Sequence, residues 1–154
     1  MNDRLKSLYQ QVILAKSKDE KFLGELEGYT HQLLAYNPLC GDKFELQIKV
    51  EAGVLKSLKY KGYGCSISKA STAVMCAELE MTNPEDLLLK INDFLELISA
   101  DSNRHPEAIT KNEELLAFAP AREFPERKSC ADLSWKALHD QINQLFPNQN
   151  HSKE

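Results

Sequence analysis

Residues 37–68 read NPLCGDKFELQIKVEAGVLKSLKYKGYGCSIS, and the pattern of this stretch decides the fold. Apolar and polar residues alternate strictly over 43–51, which predicts a strand with one buried face. Ala52-Gly53 supplies a tight turn, and residues 54–61 return as a second strand. The stretch therefore predicts an antiparallel hairpin whose two ends lie close together. The side chains expected on its buried face are Phe44, Leu46, Ile48, Val50, Leu58 and Tyr60.

Two cysteines flank this hairpin, and a third lies far downstream. Cys40 precedes it within Cys40-Gly41-Asp42, Cys65 follows it, and Cys130 lies near the end of the chain. The glycines at 62 and 64 permit a sharp turn from strand to helix. Cys65 is therefore expected at a helix N-terminus, where the free N–H groups and the helix dipole favour an anion.

Cys76 is expected to have a different role. It lies 11 residues beyond Cys65 on the same predicted helix, which is about 16 Å along the axis at about 1.5 Å per residue. At that distance the two thiols cannot share a metal. We predict that Cys76 is a small buried hydrophobic residue, as free cysteines usually are.

The thiols of Cys40, Cys65 and Cys130, with the carboxylate of Asp42, form a candidate metal site. Three sulfur ligands and one oxygen suit the tetrahedral coordination of zinc, and thiolates equally suit an iron-sulfur cluster. A single cysteine is more often a buried core residue than a ligand. The placement of these three at helix starts or Gly/Pro turns favours the metal site.

The composition is that of an ordinary globular protein, with 154 residues, 42% hydrophobic and 27% charged. We predict one domain over 1–154, with 148–154 as a disordered tail. A net charge of -4 argues against nucleic acid as a partner. Lys56, Lys59 and Lys61 interleave with Tyr60 and Tyr63, but such lysines are more often the solvated face of an edge strand.

No apolar run is long enough to span a bilayer, and the first residues lack a signal-peptide core, so a cytoplasmic location without a membrane partner is expected. In that reducing compartment, the cysteines are not expected to form disulfides.

The segments before and after the hairpin show further regular patterns. Helical spacing of apolar residues predicts a first helix over 3–18, and 30–36 predicts an additional strand. Ser66 is the expected N-cap of the helix after Cys65. The face of that helix on the sheet is predicted to carry Ile67, Ala70, Val74 and Ala77.

The C-terminal half is predicted to be mainly helical. A helix begins at Thr82-Asn83-Pro84, 100–109 is expected to be a loop, and Thr110 has the capping-box spacing for a short helix that ends at Phe118. Pro120 and Pro125 are expected to hold 121–129 extended and to bring Cys130 to the start of the last helix. The buried stripe of that helix is Trp135, Leu138, Ile142, Leu145 and Phe146.

Three motifs together resemble the SufU branch of the NifU/IscU-like family, over roughly residues 5–145. They are Asn37-Pro38-x-Cys40-Gly41-Asp42, Gly62-x-Gly64-Cys65-Ser66-Ile67-Ser68-x-Ala70-Ser71 and Phe124-Pro125-x-Arg127-x-x-Cys130-Ala131-x-Leu133-Ser134-Trp135-x-Ala137-Leu138. The resemblance implies an α+β fold with a three-stranded antiparallel sheet and helices packed on one face.

The resemblance also implies a function. Members of the SufU branch are zinc-dependent sulfurtransferases that act with a SufS-type, PLP-dependent cysteine desulfurase, and a SufBCD-type scaffold is a possible later acceptor. By the resemblance, persulfide sulfur passes to Cys40, the catalytic residue, while zinc stays on Asp42, Cys65 and Cys130. The positive charges of Arg127 and Lys128 are expected to help keep the surroundings of the attacking thiolate electropositive.

Two other functions stay open at the level of sequence. The IscU branch of the family comprises iron-sulfur cluster scaffolds, which carry His before the third cysteine and a Leu-Pro-Pro-Val-Lys motif. This chain has Ser129 there, lacks the motif, and carries a long segment between Cys65 and Cys130 like that of SufU. Ser129 also departs from SufU, where Lys is usual, and Lys128 lies one place earlier. The third possibility is a structural zinc site in an interaction domain.

Overall fold

The hairpin predicted from the alternating pattern is present in the structure, a computed structural model that describes residues 3–147. Strand β2 spans Lys43–Glu51 and pairs antiparallel with β3, Val54–Tyr63. Ala52 and Gly53 have φ of 54° and 77°, as a two-residue hairpin turn requires. A bulge between Lys49 and Val50 shifts the register, so that both Leu55 and Leu58 face the core.

A third strand completes the sheet. Strand β1, His31–Tyr36, pairs antiparallel with β2 and gives the order β1-β2-β3. Side chains of all three strands are buried on one face, beneath the helices: Leu33, Ala35, Phe44, Leu46, Ile48, Leu58 and Tyr60. The predicted fold class, α+β with a three-stranded antiparallel sheet, is confirmed.

Helix α2, Ser66–Leu79, runs through the middle of the helical layer. It contacts β3, the first helix α1 (Asp3–Ser17) and the C-terminal helices. The predicted stripe of four apolar residues is incomplete, because the whole segment 70–76 is buried while Ala77 is exposed. Small residues such as Ala70, Ser71 and Ala73 let neighbouring elements approach from several sides.

Helix α3, Pro84–Leu97, begins as predicted, with Asn83 as the cap and Pro84 in the first turn. Short helices follow: α4 (Pro106–Ile109), α5 (Glu113–Leu116) and a 3₁₀ helix (Ala119–Glu123). The last helices are α6 (Pro125–Ala131), α7 (Leu133–Asp140) and α8 (Ile142–Leu145). The predicted buried stripe of α7 and α8 is confirmed, and Trp135 stacks on Phe94 with ring centroids 4.1 Å apart.

Four local predictions for residues 100–130 are wrong. Residues 121–129 are not extended, because Pro120 and Pro125 each occupy the first turn of a helix, a position that suits proline. Cys130 consequently lies in the last turn of α6 rather than at the start of the final helix. The predicted loop 100–109 contains α4, and α5 is capped by Asn112, while Thr110 only accepts the Asn112 N–H.

The lysines of β3 lie on an edge strand, as expected for a solvated face. Lys61 pairs with Glu25 and Glu45, and Lys56 pairs with Glu51. Tyr60 is buried and offers no ring for base stacking. Across residues 3–147, no helix combines the length and apolarity needed to cross a bilayer. The predicted disordered tail, 148–154, lies outside the described residues.

Candidate metal centre

Cys40 is exposed on a turn that closes on itself between β1 and β2. The Gly41 N–H donates to the Asn37 carbonyl at 2.8 Å, and the Asn37 N–H donates to the Asp42 carbonyl at 2.9 Å. Gly41 has a φ of 79°, which favours glycine. This turn fixes the backbone and presents the Cys40 thiol to solvent.

Asp42 lies below this turn and is almost buried, with 6% of its surface exposed. Its Oδ1 accepts the Cys65 N–H at 3.3 Å, whereas its Oδ2 is buried and has no hydrogen-bond partner. A buried carboxylate oxygen without a partner costs free energy unless a cation or a donor compensates it. The unpartnered oxygen therefore makes Asp42 a candidate cation ligand.

Two glycines bring Cys65 to Asp42. A Cβ on Gly62 would lie 2.1 Å from the Lys43 carbonyl oxygen, and a Cβ on Gly64 would lie 2.5 Å from Ser68 Oγ. Since glycine has no Cβ, neither clash occurs, and β3 can end directly beside the start of β2. The two ends of the hairpin therefore meet, as the sequence predicts.

Cys65 caps helix α2. Its Sγ accepts the Ser68 N–H at 3.4 Å, so Cys65 occupies the N-cap position that the sequence assigns to Ser66. The Ser68 hydroxyl also lies 3.5 Å from this sulfur. These contacts hold the Cys65 sulfur at the start of α2.

Cys130 reaches the same place from α6 and is partly buried. Burial raises the pKa of its thiol far above the ordinary value, and hydrogen bonding with Cys65 and the charges of Cys65, Asp42 and Cys40 raise this pKa further. The ligand atoms of Cys40, Asp42 and Cys130 all lie within 4.8 Å of one another. The Cys65 thiol is not part of this set of three. Cys65 contacts two of its members, because its N–H donates to Asp42 and its thiol forms a hydrogen bond with Cys130.

Hydrogen bonds from buried side chains of α2 hold the end of α6 and the start of α7. Ser71 donates its hydroxyl proton to the carbonyl of Ala131, and the Trp135 indole N–H donates to the same hydroxyl at 3.1 Å. Thr72 and Ser134 form a second link of 2.7 Å. Ala131, Ser134 and Trp135, which belong to the same motif as Cys130, therefore help to position it. The sequence alone does not reveal these contacts.

The two basic residues near Cys130 have different surroundings. Lys128 forms an ion pair of 3.1 Å with Asp132, so its charge is already balanced. Arg127 instead lies between two aromatic rings, those of Tyr9 and Phe124. Ser129 donates to the carbonyl of Glu126.

Tyr9 is a neighbour of the site that sequence reasoning missed. Burial raises the pKa of its hydroxyl; the charge of Arg127 opposes this rise, and the charges of Cys65 and Cys130 add to it. Tyr9 lies on α1, far from the motifs in sequence, and the helical spacing of α1 assigns it only to the packed stripe. Cys76 is fully buried, as predicted, and takes no part in the site.

Three thiols and a buried carboxylate at one end of a three-stranded sheet define a small α+β protein with a sulfur-rich candidate metal centre. The chain belongs to the family described as NifU-like N terminal domain, whose sequence model matches residues 8–131. The resemblance to the NifU/IscU-like family noted in the motifs is thereby confirmed.

Two relatives show how similar the chain is to named proteins. It is 32% identical over 140 residues to "Iron-sulfur cluster assembly scaffold protein IscU" of Thermotoga maritima, covering 91% of this chain and 96% of that protein. It is 31% identical over 137 residues to "Zinc-dependent sulfurtransferase SufU" of Bacillus subtilis, covering 89% and 90%. These near-equal identities favour neither branch.

Solved structures agree on the fold. A putative iron-sulfur cluster assembly scaffold protein for the SUF system, from Fervidobacterium islandicum, superposes with a TM-score of 0.77 at 25% identity, covering 87% of this chain and 96% of that one. The N-terminal part of a NifU-like protein from Brucella abortus gives 0.78 at 18% identity, covering 94% and 99%. The second likeness is one of fold alone.

Proposed function

We propose that this protein is a zinc-dependent sulfurtransferase of iron-sulfur cluster assembly, which accepts persulfide sulfur on Cys40. The supporting observation is the combination of an exposed thiol on a turn, a buried carboxylate oxygen without a partner, and two further thiols beside it. The relative from Bacillus subtilis is named a zinc-dependent sulfurtransferase.

The ligands proposed for zinc are Cys40, Asp42, Cys65 and Cys130. They fit the metal in two respects: three sulfurs with one oxygen form a donor set typical of zinc, and the buried Asp42 Oδ2 lacks any other partner. When bound, zinc would supply the positive charge that keeps the thiols deprotonated.

Cys40 differs from the other three in its freedom to move. Asp42 is buried and holds the Cys65 N–H, Cys65 caps α2, and Cys130 is fixed through α6. The side chain of Cys40 lies on an exposed turn whose hydrogen bonds are made by the backbone. Its thiol can therefore turn towards a partner without disturbing a helix or a strand.

The proposed transfer step is a thiol exchange at sulfur. The Cys40 thiolate attacks the terminal sulfur of a persulfide on the partner, and a new bond forms between Cys40 Sγ and that sulfur. The sulfur-sulfur bond of the partner breaks, and its electron pair leaves with the partner's cysteine as a thiolate. No external oxidant or reductant is needed, because the transferred sulfur keeps its oxidation state.

The proposed partner is a PLP-dependent cysteine desulfurase of the SufS type, since such an enzyme generates a protein persulfide. A SufBCD-type scaffold is the proposed later acceptor. We place this exchange in the cytoplasm, whose reducing conditions keep unbound thiols free.

A second candidate function is that of an iron-sulfur cluster scaffold. It is favoured by the name of the Thermotoga maritima relative, and it would use the same four ligands. Native mass spectrometry of protein purified anaerobically separates the two, because a scaffold would carry iron and sulfide where we expect one zinc ion on a colourless protein.

The substitution Cys40→Ser tests the proposed function. We expect the variant to retain part of its zinc on the remaining ligands and to lose all stimulation of the desulfurase. The matched control is Cys76→Ala, which removes a thiol outside the site and should keep the stimulation. Persistent stimulation by Cys40→Ser would refute the acceptor assignment. Equal unfolding of the Cys40, Asp42, Cys65 and Cys130 variants would indicate a structural zinc site.

A further inference from the structure

The guanidinium group of Arg127 lies between two aromatic rings at the edge of the metal centre. Its Cζ is 4.3 Å from the ring centroid of Phe124 and 5.4 Å from that of Tyr9. A planar guanidinium stacks well on such rings and keeps its N–H donors in the plane. One donor interacts with the Tyr9 hydroxyl, and the others can reach a planar acceptor. The rings therefore fix the orientation of Arg127 before any partner arrives.

The two exposed arginines of the described chain bind acids, whereas Arg127 is half-buried. Arg4 pairs with Glu107 and Glu113, and Arg104 pairs with Glu96. Within residues 3–147, by contrast, no ion pair joins Arg127 to a carboxylate. Its stacked position thus leaves its charge and its N–H donors without an acidic partner in this part of the chain.

A cavity of about 290 Å³ opens beside this arginine. It lies between α1 and α6 and is lined by Tyr9, Phe124 and Arg127 together with Lys6, Gln10 and Glu123 among others. Its lining includes two basic residues and one acidic residue. The cavity is large enough for a carboxylate side chain and carries a small positive excess on a protein of net charge -4.

We propose that Tyr9, Phe124 and Arg127 form a preformed pocket that binds an Asp or Glu side chain of the desulfurase when it docks. This inference rests on the proposed function for the identity of the partner. Arg127 lies three residues before Cys130, so a carboxylate held there anchors the partner within one helical turn of the metal centre. Arginine and tyrosine are also frequent hot-spot residues of interfaces.

Titration of this chain into the desulfurase tests the pocket. Arg127→Gln should raise the KM for this chain about tenfold or more, because it removes a charge-assisted hydrogen bond, and should leave kcat and zinc content unchanged. Arg127→Lys keeps the charge but loses the planar stack, so its KM should also rise. The control Arg4→Gln removes an arginine from the surface of α1 and should leave KM unchanged.

Three results would overturn the inference: a KM unchanged by Arg127→Gln, a fall in kcat at unchanged KM, or a loss of zinc in that variant. The first excludes a docking role, the second indicates a role in the chemistry, and the third indicates a structural role.

Binding measured by calorimetry in a Cys40→Ser background separates this inference from the proposed function. An affinity that depends on Arg127 supports the pocket even if no sulfur is ever transferred. Sulfur transfer with an affinity independent of Arg127 supports the function and refutes the pocket.

Discussion

Asp42 connects the two ends of the hairpin, with one carboxylate oxygen on the Cys65 N–H and the other buried without a partner. The sequence identifies Asp42 as a candidate ligand from the turn Cys40-Gly41-Asp42. Its burial depends on the close approach of Gly62 and Gly64 to β2, which a linear pattern does not show. At this scale, the residue type was predictable and its environment was not.

The contrast between Cys40 and Cys76 leads to a prediction about reactivity. Burial raises the pKa of the Cys76 thiol far above its ordinary value, and its side chain is fully buried. We expect iodoacetamide to alkylate Cys40 and Cys65 in the folded, metal-free protein and to leave Cys76 unmodified.

Peptide mass spectrometry, with urea-unfolded protein as the control, measures this pattern. Modification of Cys76 at the rate of Cys40 under native conditions would show that α2 opens far more readily than its packing indicates.

The contact of α6 with α2 determines where Cys130 lies. Ser71 accepts the buried Trp135 indole N–H and donates to the carbonyl of Ala131, so Ser71→Ala leaves two buried polar groups without a partner. We expect a loss of about 1–3 kcal/mol per unsatisfied group in the free energy of unfolding, together with weaker zinc binding.

Urea unfolding and zinc titration measure the two effects. The matched control is Ser129→Ala at an exposed position of α6, which should change stability by less than about 0.5 kcal/mol. Equal stability of both variants would show that the Ser71 contacts do not anchor α6.

The accuracy of the sequence predictions differs between elements for physical reasons. The hairpin was predictable because alternation with a period of two is an unambiguous strand signal over nine residues. The segment before Cys130 was not, because proline is compatible both with an extended chain and with the first turn of a helix. The predicted apolar stripe of α2 was too narrow, because a helix that packs against other elements on several sides is buried on more than one face.

The whole molecule responds to acid partly through Glu96. Hydrogen bonds from Arg104 and Ser102 lower the pKa of this carboxyl from its ordinary 4.5 to about 2 in the folded protein. The stability that Glu96 contributes is therefore present above about pH 4.5 and is lost as the pH falls towards about 2.

Glu96→Gln should accordingly reduce the loss of stability of the metal-free protein between about pH 5 and about pH 3. Urea unfolding at the two pH values measures this loss. Glu27→Gln, which changes an exposed acid that forms no ion pair within residues 3–147, is the control. If Glu96→Gln loses as much stability on acidification as the unmodified protein, the ion pair between Glu96 and Arg104 has no role in acid stability.

The molecule as a whole combines a rigid scaffold with one movable thiol. The sheet, α2 and α6 fix Asp42, Cys65 and Cys130, while Cys40 lies on an exposed turn. The proposed sulfur transfer requires such a division between fixed ligands and a free acceptor, whereas a purely structural zinc site does not.

The central claim, that Cys40 receives the sulfur, can be tested directly by mass spectrometry. The protein is incubated anaerobically with the desulfurase and cysteine, trapped with an alkylating reagent and digested, and the added sulfur atom is located on a peptide. Our account predicts one extra sulfur on the peptide that contains Cys40 and none on that of Cys76. A persulfide confined to Cys65 or Cys130, or found on no cysteine, would contradict it.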